Sequence, residues 1–451
     1  MTERPGRRGP GRGGTTLSLI KPLGAVSLLL SACSAAGQLA PMANSPELVG
    51  PSVAVEQAWL QERNPLRIRP DLPAAPDSAS ITSLDLSYRQ PLGAQQLQAY
   101  GRLSGVRYSN QAALNHEPYR VGARWELQSA QQLGASLNWH RQQEALEGPV
   151  RLDPQTAQRR QQTLEQFGGA LQWGTQRRWS LLADAQHDRL QPSHPQVWWP
   201  GYEQLTGRLR VQGDIAQQVF WSITRRQQDG TQAAVEAATA VGPGVDYQLG
   251  VWDLEWSWRP KPGQALSLRG STGQGRRQSQ GSSVSDIQGA SAEVNWRLTT
   301  PVSLQALVSS DKGQQVWGTQ ALVEGEGIVL QGANEVRQAR LALRWELGRR
   351  WHVLLSRHFM ERMGEQSWTA SANGKALGSL TPFHWQDRLD RSALGITWQP
   401  HRTVLAQCVV KRESRYGFGA NDQLGTSGSS TLEWSDKQWL CSVRWQAVLA
   451  R

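Results

Sequence analysis

Apolar and polar residues alternate along residues 340–357, which read RLALRWELGRRWHVLLSR. Leu341, Leu343 and Trp345 occupy every second position before Gly348, and the alternation resumes at Trp351. A period of two residues is typical of a β-strand with one apolar and one polar face. Two such strands around a three-residue turn predict a β-hairpin.

The same hairpin pattern occurs eight times along the chain. The predicted short turns are at residues 91–93, 129–132, 174–178, 212–217, 259–263, 299–301, 348–350 and 399–402. The longer polar segments between hairpins include 142–164, 228–245, 274–285, 310–335, 360–389 and 413–431. Short turns that alternate with long loops are typical of outer-membrane barrels, in which the short turns face the periplasm. A soluble propeller or sandwich also repeats hairpins, but it gives no reason for this asymmetry.

Eight hairpins predict sixteen strands, and two further strands are needed to close a barrel. Residues 53–61 can supply the first strand, and Trp439, Cys441, Val443 and Trp445 the last. The predicted fold is therefore all-β: a transmembrane antiparallel β-barrel of about 18 strands (16–20), with short periplasmic turns and long extracellular loops. An interior of this size should hold water.

Three local features modify this plan. Residues 310–335 are a candidate partial plug of the barrel. The step from Val251 to Trp252 breaks the alternation and predicts a bulge. Cys408 and Cys441 fall on neighbouring final strands and face lipid; we interpret them as small apolar wall residues, with a cross-strand disulfide as the alternative.

The composition is compatible with a membrane wall. Only 38% of the residues are hydrophobic, yet the chain has 21 tryptophans and five phenylalanines. A wall with lipid on one side and water on the other needs only half of its residues to be apolar. Beyond the N-terminus no stretch of about 20 apolar residues occurs, so helical spans are not expected.

Many tryptophans lie beside the predicted short turns. These membrane-interface candidates are Trp125, Trp173, Trp179, Trp258, Trp296, Trp345, Trp351 and Trp398. At this single level an indole can lie half in lipid and half among headgroups, which predicts an aromatic girdle. Core packing, the alternative, would scatter the rings along the strands.

The polar faces of the strands are rich in arginine. The net charge is +11, and only six residues are lysines. The lumen-lining candidates are Arg120, Arg124, His140, Arg208, Arg210, Arg269, Arg297, Arg340, Arg344 and Arg444, and the clearest acids at the same parity are Glu126, Asp184, Asp188, Glu293 and Glu346. Such a wall would concentrate anions, and its Gln, Asn, Ser and Trp content would suit sugar hydroxyls. Alternatively, each arginine pairs with an acid on an adjacent strand.

The N-terminus resembles an export signal. Arg7, Arg8 and Arg12 precede an apolar run that ends in a possible lipobox at Cys33, where the cysteine would be lipidated. Ordinary signal cleavage after Ala36 is the alternative. We therefore expect an export signal at 1–36, a periplasmic linker at 37–51 and a barrel at 52–451.

Several functional classes have no support in the sequence. The motifs of serine hydrolases, zinc proteases and P-loop enzymes are missing, so neither catalytic residues nor a cofactor nor a metal site is expected. We interpret His140, His187, His352 and His358 as polar wall residues. Basic residues are spread over alternate strand positions rather than clustered, so no nucleic-acid partner is expected.

The segment Glu62-Arg63-Asn64-Pro65-Leu66-Arg67 and the run SLDLSYRQPLGAQQLQAYGRLSGVRYSNQAALNHEPYRVGARWEL resemble a known family. It is the exosortase-associated exopolysaccharide-biosynthesis outer-membrane proteins, the EpsL type. The resemblance is sharpest over residues 53–145. It implies a barrel that passes polysaccharide across the outer membrane and brings no catalytic residues.

Together, these features predict a channel in the outer membrane of a Gram-negative bacterium that exports an extracellular, acidic polysaccharide. The expected partners are outer-membrane lipid, the polysaccharide chain in transit and periplasmic export or polymerisation components. A general or anion-selective porin for small solutes is the alternative. A barrel hydrolase or deacylase is a third interpretation.

Overall fold

In the computed structural model, eighteen antiparallel strands pair in chain order and the last strand pairs with the first, which closes a barrel. The structure describes residues 49–65, 74–129, 132–145, 161–175, 179–192, 201–216, 218–232, 235–237, 240–242, 245–278, 282–313, 334–348, 350–366, 369–372, 375–379, 383–419 and 432–448. The expected export signal, Cys33 and most of the plug candidate lie outside these ranges.

The strands are β1 (Gly50–Glu62), β2 (Asp77–Leu92), β3 (Gln95–Tyr108), β4 (Tyr119–Gln128), β5 (Leu133–Ala145), β6 (Gln161–Thr175), β7 (Trp179–Pro192), β8 (Tyr202–Ala216), β9 (Val219–Gln232), β10 (Val235–Ala237), β11 (Ala240–Gly242), β12 (Val245–Trp258), β13 (Gln264–Gln278), β14 (Ser282–Thr299), β15 (Val302–Lys312), β16 (Asn334–Leu347), β17 (Trp351–Gln366), β18 (Thr369–Ala372), β19 (Lys375–Ser379), β20 (Phe383–His401), β21 (Val404–Gly419) and β22 (Leu432–Val448). β10 with β11, and β18 with β19, form two small hairpins outside the barrel sheet. One turn of 3-10 helix, η1 (Ala112–Leu114), follows β3. Among the described residues, no helix has the length and apolarity to cross a membrane.

The predicted barrel of about 18 strands is confirmed. Each predicted hairpin is present, and two to five residues join its strands. The predicted first strand, residues 53–61, lies within β1, and the predicted last strand lies within β22. Both chain ends of the barrel therefore lie at the end of the short turns.

One predicted loop is wrong. β13 continues to Gln278 and β14 begins at Ser282, so the segment 274–285 is mostly strand and only residues 279–281 connect the two. Val284 is the only large apolar residue of the segment, so no apolar alternation reveals its strands in the sequence. Other strands extend into the predicted loops in the same way: β17 continues to Gln366 and β21 to Gly419.

The predicted bulge at the step from Val251 to Trp252 is also wrong, because β12 stays in register there with both β9 and β13. Val251 is 1% exposed and faces the interior, whereas Trp252 is 52% exposed on the outside. The two adjacent apolar residues therefore lie on opposite faces of one regular strand, Val251 inside and Trp252 outside.

Register shifts occur instead beside short turns. They lie at Asp214/Ala216, Arg297/Thr299 and Trp398/His401. After each shift the strand pairs again with its neighbour, so it extends further than the alternation of apolar and polar residues predicts. As a result, the turns predicted at 212–217 and 399–402 shorten to 217–218 and 402–403.

Cys408 and Cys441 face each other directly across β21 and β22 and form a disulfide, with their Cα atoms 4.1 Å apart. Both face outward, as expected, but their interpretation as unbonded wall residues is wrong. The register of the two strands brings the cysteines to the same cross-strand pair, where side chains approach closely enough to bond.

The outer surface of the barrel carries a broad apolar belt. Its large, exposed members include Leu137, Phe167, Leu171, Leu209, Ile223, Leu254, Leu268, Leu341, Leu355 and Ile396. A continuous exposed apolar belt is what lipid covers in a membrane barrel. The outer belt therefore identifies the lipid-facing side, and the other face of each strand lines the interior.

Candidate functional site

The inner wall of the barrel is the candidate functional site. Contacts between strands that are two apart identify it, because only the concave face brings such side chains together. Arg102 Nη2 on β3 lies 2.7 Å from Glu56 Oε2 on β1, and Tyr100 Oη on β3 lies 2.8 Å from His140 Nδ1 on β5. Directly paired residues share a face, so these contacts fix the inward parity of every strand.

All ten lumen-lining candidates fall at inward positions in this register. Five of the arginines have a carboxylate partner: Arg124 with Glu126, Arg208 with Asp184 (2.7 Å), Arg269 with Asp253 (2.8 Å), Arg344 with Glu346 (3.3 Å) and Arg444 with Asp85 (3.2 Å). The other arginines, Arg120, Arg210, Arg297 and Arg340, have no ion pair within the described part of the chain. The sequence-based alternative of a paired ladder thus describes about half of the set.

The expected excess of basic groups along the inner wall is wrong for the described strands. Among the barrel residues whose side chains the structure describes, the inward basic residues are Arg89, Arg102, Arg120, Arg124, Arg208, Arg210, Arg226, Arg269, Arg297, Arg340, Arg344, Arg362, Arg391, Lys411, Arg415 and Arg444. The inward acids are Glu56, Glu62, Asp77, Asp85, Glu126, Glu144, Asp184, Asp188, Asp214, Asp253, Glu255, Glu293, Asp311, Glu346, Glu413 and Asp436. The two sets are equal in size, so unpaired arginines make the wall positive only locally.

Much of the net positive charge lies in the short connections instead. These connections contain Arg177, Arg178, Arg259, Lys261, Arg349, Arg350 and Arg402, and none of them contains an Asp or Glu. The excess of basic residues in the short connections can be found in the sequence, but only when all the predicted short turns are compared with one another.

The eight tryptophans named as interface candidates all lie at outward positions next to a short connection. Three pairs among them are in ring contact. The ring centroids are 5.2 Å apart for Trp173 and Trp179, 6.3 Å for Trp258 and Trp296, and 5.6 Å for Trp351 and Trp398. The rings therefore form part of an aromatic girdle at one end of the lipid-facing belt.

A carboxamide cluster lines the inner wall near the long-loop end. Gln166 and Gln186 donate to Asp188 Oδ1 at 2.9 and 2.6 Å, and Gln204 Nε2 donates to Asp188 Oδ2 at 2.9 Å. Tyr247 Oη donates to Gln204 Oε1 at 3.0 Å. We define the carboxamide cluster by these five residues. Carboxylate, amide and phenol groups together offer the donors and acceptors that hydroxyl-rich ligands require.

Two glycines position tyrosines on this wall. Gly230 faces Tyr247 in register, and a Cβ at Gly230 would lie 2.5 Å from the Tyr247 hydroxyl oxygen. Gly122 has the same relation to Tyr100, which contacts His140. In both pairs the missing side chain leaves room for a phenol ring to lie flat across the neighbouring strand.

The β3–β4 connection narrows the long-loop end. Leu114 in η1 is 1% exposed and belongs to an apolar cluster with inward residues of β1, β2, β3 and β22. His116 pairs with Val106 of β3 as an isolated bridge. Asp77 holds the start of this turn, because its carboxylate accepts from the backbone N–H groups of Asn110 and Gln111. The sequence analysis missed this inward turn, and its only signal is the apolar Leu114 in a polar segment.

The segment that carries the family resemblance takes part in a buried network beside this cluster. Tyr108 Oη donates to Glu62 Oε2 at 2.7 Å, and Gln438 Nε2 donates to Glu62 Oε1 at 2.8 Å. The backbone N–H of Asn64 donates to Asp436 Oδ1 at 3.0 Å. Glu62 and Asn64 thus tie the end of β1 to the last strand.

The four histidines considered in the sequence do not converge. His140, His352 and His358 face inward, whereas His187 faces outward and contacts Glu203 at 2.9 Å. Within the described residues, no group of three or more His, Cys, Asp or Glu side chains could hold a metal ion.

We expect the replacement Asp188→Asn to destabilise the barrel by about 1–3 kcal/mol, because one carboxylate oxygen would become an amide donor that faces glutamine donors. Asp188 is only 3% exposed, so water cannot replace the lost acceptor. Urea titration of the protein in lipid vesicles measures the free energy of unfolding. The control Asp229→Asn lies on the outer face and should change it by less than about 0.5 kcal/mol. Equal effects of the two variants would contradict the buried role of Asp188.

The closed sheet, the apolar outer belt and the polar inner wall define an outer-membrane-type β-barrel. No protein-family model matches the chain, and no curated protein matches it. The fold is similar to a mutant of the ferric enterobactin receptor PfeA from Pseudomonas aeruginosa (TM-score 0.46, 8% identity, 89% of this chain and 81% of that chain). It is also similar to the siderophore receptor PirA (TM-score 0.45, 7% identity, 89% and 81%) and the outer membrane channel DcaP (TM-score 0.41, 8% identity, 89% and 100%), both of Acinetobacter baumannii. These similarities concern the fold alone.

Proposed function

We propose that this protein is an outer-membrane channel that exports an acidic polysaccharide. The observation that carries the proposal is the closed 18-strand barrel with an apolar outer belt and a charged, polar inner wall. A barrel of 16–18 strands leaves an aqueous interior, because its side chains are too short to fill the lumen. Among the described elements, the contacts of each barrel strand are with its sheet neighbours and, for β3, with η1.

The chemistry of the inner wall supports a saccharide as cargo. The carboxamide cluster offers groups that suit sugar hydroxyls, and the inward arginines without an ion pair offer planar donors for sugar carboxylates. Arg120 lies directly opposite Arg102; Arg102 is paired with Glu56, whereas Arg120 forms no ion pair in the described structure and adds one unbalanced positive charge to this part of the wall. A polymer would meet these groups in succession along the barrel.

The family resemblance of residues 53–145 supports the same cargo and implies periplasmic partners that deliver the polymer. The short-turn end, whose connections are basic, is where such partners would dock. The location in the outer membrane of a Gram-negative bacterium is part of this proposal.

A channel for small anions is the second candidate. Two observations favour it: the equal numbers of inward acids and bases, which give no strong field along the whole wall, and the narrowing of one end by Leu114. Both candidates require ion conductance, and they differ in their response to saccharides.

Single-channel conductance of the refolded protein in a planar bilayer tests the proposal. We expect large conductance that anionic oligosaccharides interrupt transiently and that matched neutral oligosaccharides affect less. Steady conductance that is indifferent to saccharides would support the small-solute channel. A folded barrel without conductance would contradict both channels.

Charge reversal at Arg340 should change the ion selectivity of the channel. Arg340 faces inward and has no ion pair in the described structure. A unit charge about 10 Å from a passing ion in water acts on it with about 0.4 kcal/mol. Arg340→Glu changes this energy by about 0.8 kcal/mol, in opposite directions for anions and cations, so the anion-to-cation permeability ratio should shift roughly 15-fold towards cations. Reversal potentials in a salt gradient measure this ratio. The control Arg276→Glu lies on the outer face and should leave it unchanged; equal shifts would argue against an inward Arg340.

A further inference from the structure

Three basic residues form a row on the outer face of the barrel. Lys437 on β22 and Arg412 on β21 directly oppose each other, and Arg63, which follows β1, donates its backbone N–H to Lys437 O at 3.1 Å. All three side chains are exposed. We call Arg63, Lys437 and Arg412 the outer basic row.

The outer basic row lies at the edge of the lipid-facing belt that is nearer the long loops. Two residues closer to the short turns, Val410 and Trp439 oppose each other on the same two strands, and Cys408 and Cys441 follow. Trp439 is 54% exposed on the outer surface. The apolar strip formed by Val410 and Trp439 therefore ends at the outer basic row, which is the next outward-facing pair on these strands.

The row differs from the outward basic residues Arg337 on β16, Arg357 on β17 and Arg388 on β20, which have carboxylate partners. Arg357 is bound to Asp390 at 2.8 Å, Arg388 to Glu361 at 2.9 Å and Arg337 to Glu335 at 2.7 Å. In the described part of the chain, no carboxylate forms an ion pair with Arg63, Lys437 or Arg412. Like charges that directly oppose each other across antiparallel strands are destabilising. An anion bound between Lys437 and Arg412 would remove this repulsion.

We propose that the outer basic row binds the phosphate groups of an anionic lipid in the outer leaflet of the membrane. Arginine forms paired hydrogen bonds with phosphate, and lysine adds a point charge. The acyl chains of the same lipid would pack on the apolar strip at Val410 and Trp439. A soluble acidic ligand would use the charges but not this strip. The inference rests on the membrane orientation in the proposed function and is independent of the cargo.

Lipid binding to the full barrel in non-ionic detergent tests this proposal. The probe is lipid A with two phosphate groups, and native mass spectrometry measures the bound fraction as the lipid is titrated. Each basic residue near a membrane surface contributes about 1 kcal/mol of attraction, so the double variant Arg412→Gln/Lys437→Gln should bind about 30-fold more weakly. The control Arg337→Gln removes a basic residue that already has a carboxylate partner and should retain the affinity.

Two further arms identify the source of the phosphate. Lipid A without phosphate should bind about as weakly to the native protein as the diphosphorylated lipid binds to the double variant. Inorganic phosphate at millimolar concentration should not displace the lipid. Equal binding by the double variant, or displacement by inorganic phosphate, would overturn the proposal. The conductance of the double variant should be normal, so failure here is distinguishable from failure of the channel function.

Discussion

Ala306→Arg is expected to destabilise the barrel in lipid by about 2–4 kcal/mol, the cost of an arginine on the lipid face of a membrane barrel near the bilayer midplane. Ala306 lies on the outer face of β15 between Val294 and Leu341. The arginine would have to reach an interface through hydrocarbon or bring water with it. Urea titration of the refolded protein in lipid vesicles gives the free energy of unfolding.

The neighbouring residue supplies the matched control. Gln305 faces inward, and its Nε2 donates to Glu293 Oε1 at 3.2 Å, so Gln305→Arg keeps a carboxylate partner in a wet environment. It should change the free energy of unfolding by less than about 0.5 kcal/mol. The two variants add the same charge one residue apart, so side-chain chemistry cannot explain a difference. A larger cost at Gln305 than at Ala306 would reverse the assignment of inner and outer faces.

Loss of the disulfide should have a comparable effect. The cysteines are separated by 33 residues, and the chain-entropy model gives about 3–4 kcal/mol for the constraint that such a bond places on the unfolded chain. Cys408→Ala/Cys441→Ala should therefore lower the free energy of unfolding by this amount. Alanine preserves a small apolar surface towards lipid, which limits other effects.

Urea unfolding with and without a reductant provides the check on the disulfide. The native protein should lose stability when reductant is present throughout the titration, whereas the double alanine variant should be insensitive to it. A double variant as stable as the native protein would show that the hairpin of β21 and β22 holds its register without the bond.

The sequence was sufficient to predict most of the barrel, because each membrane strand has one face whose residues must be apolar. Leu341, Leu343 and Trp345 alternate for this reason, and the structure places them on the outer belt. The prediction of strands was least accurate beyond the lipid-facing belt, where neither face of a strand has to be apolar. The strands between residues 274 and 285 continue beyond the belt and contain a single large apolar residue, Val284, so their sequence resembles a loop.

The same limit explains part of the error about the charge of the inner wall. Glu62, Asp77, Glu413 and Asp436 are inward acids near or beyond the edge of the apolar belt, where no alternation reveals their parity. The arginines that the sequence emphasised lie mainly within the alternating segments, where parity is easy to assign. Asp85, Asp253 and Glu255 also lie within alternating segments but were left out, so the choice of residues itself favoured basic groups.

The disulfide depended on information that no local pattern contains. A long connection, residues 420–431, joins β21 and β22, and its length does not fix which residues oppose each other. The closure of the whole sheet sets this register, since β22 must also pair with β1. For the same reason the ion pairs between strands could be proposed as a class but not residue by residue.

The basic short connections also bear on how the barrel enters a membrane. Each arginine or lysine placed at the centre of a bilayer costs about 2.5–3.5 kcal/mol, and all charged residues in these connections have the same sign. Translocation of that end would carry these basic side chains through hydrocarbon with no carboxylate in the short connections to neutralise them. Insertion that begins with the long-loop end would leave these basic side chains on the side of the membrane from which the barrel enters.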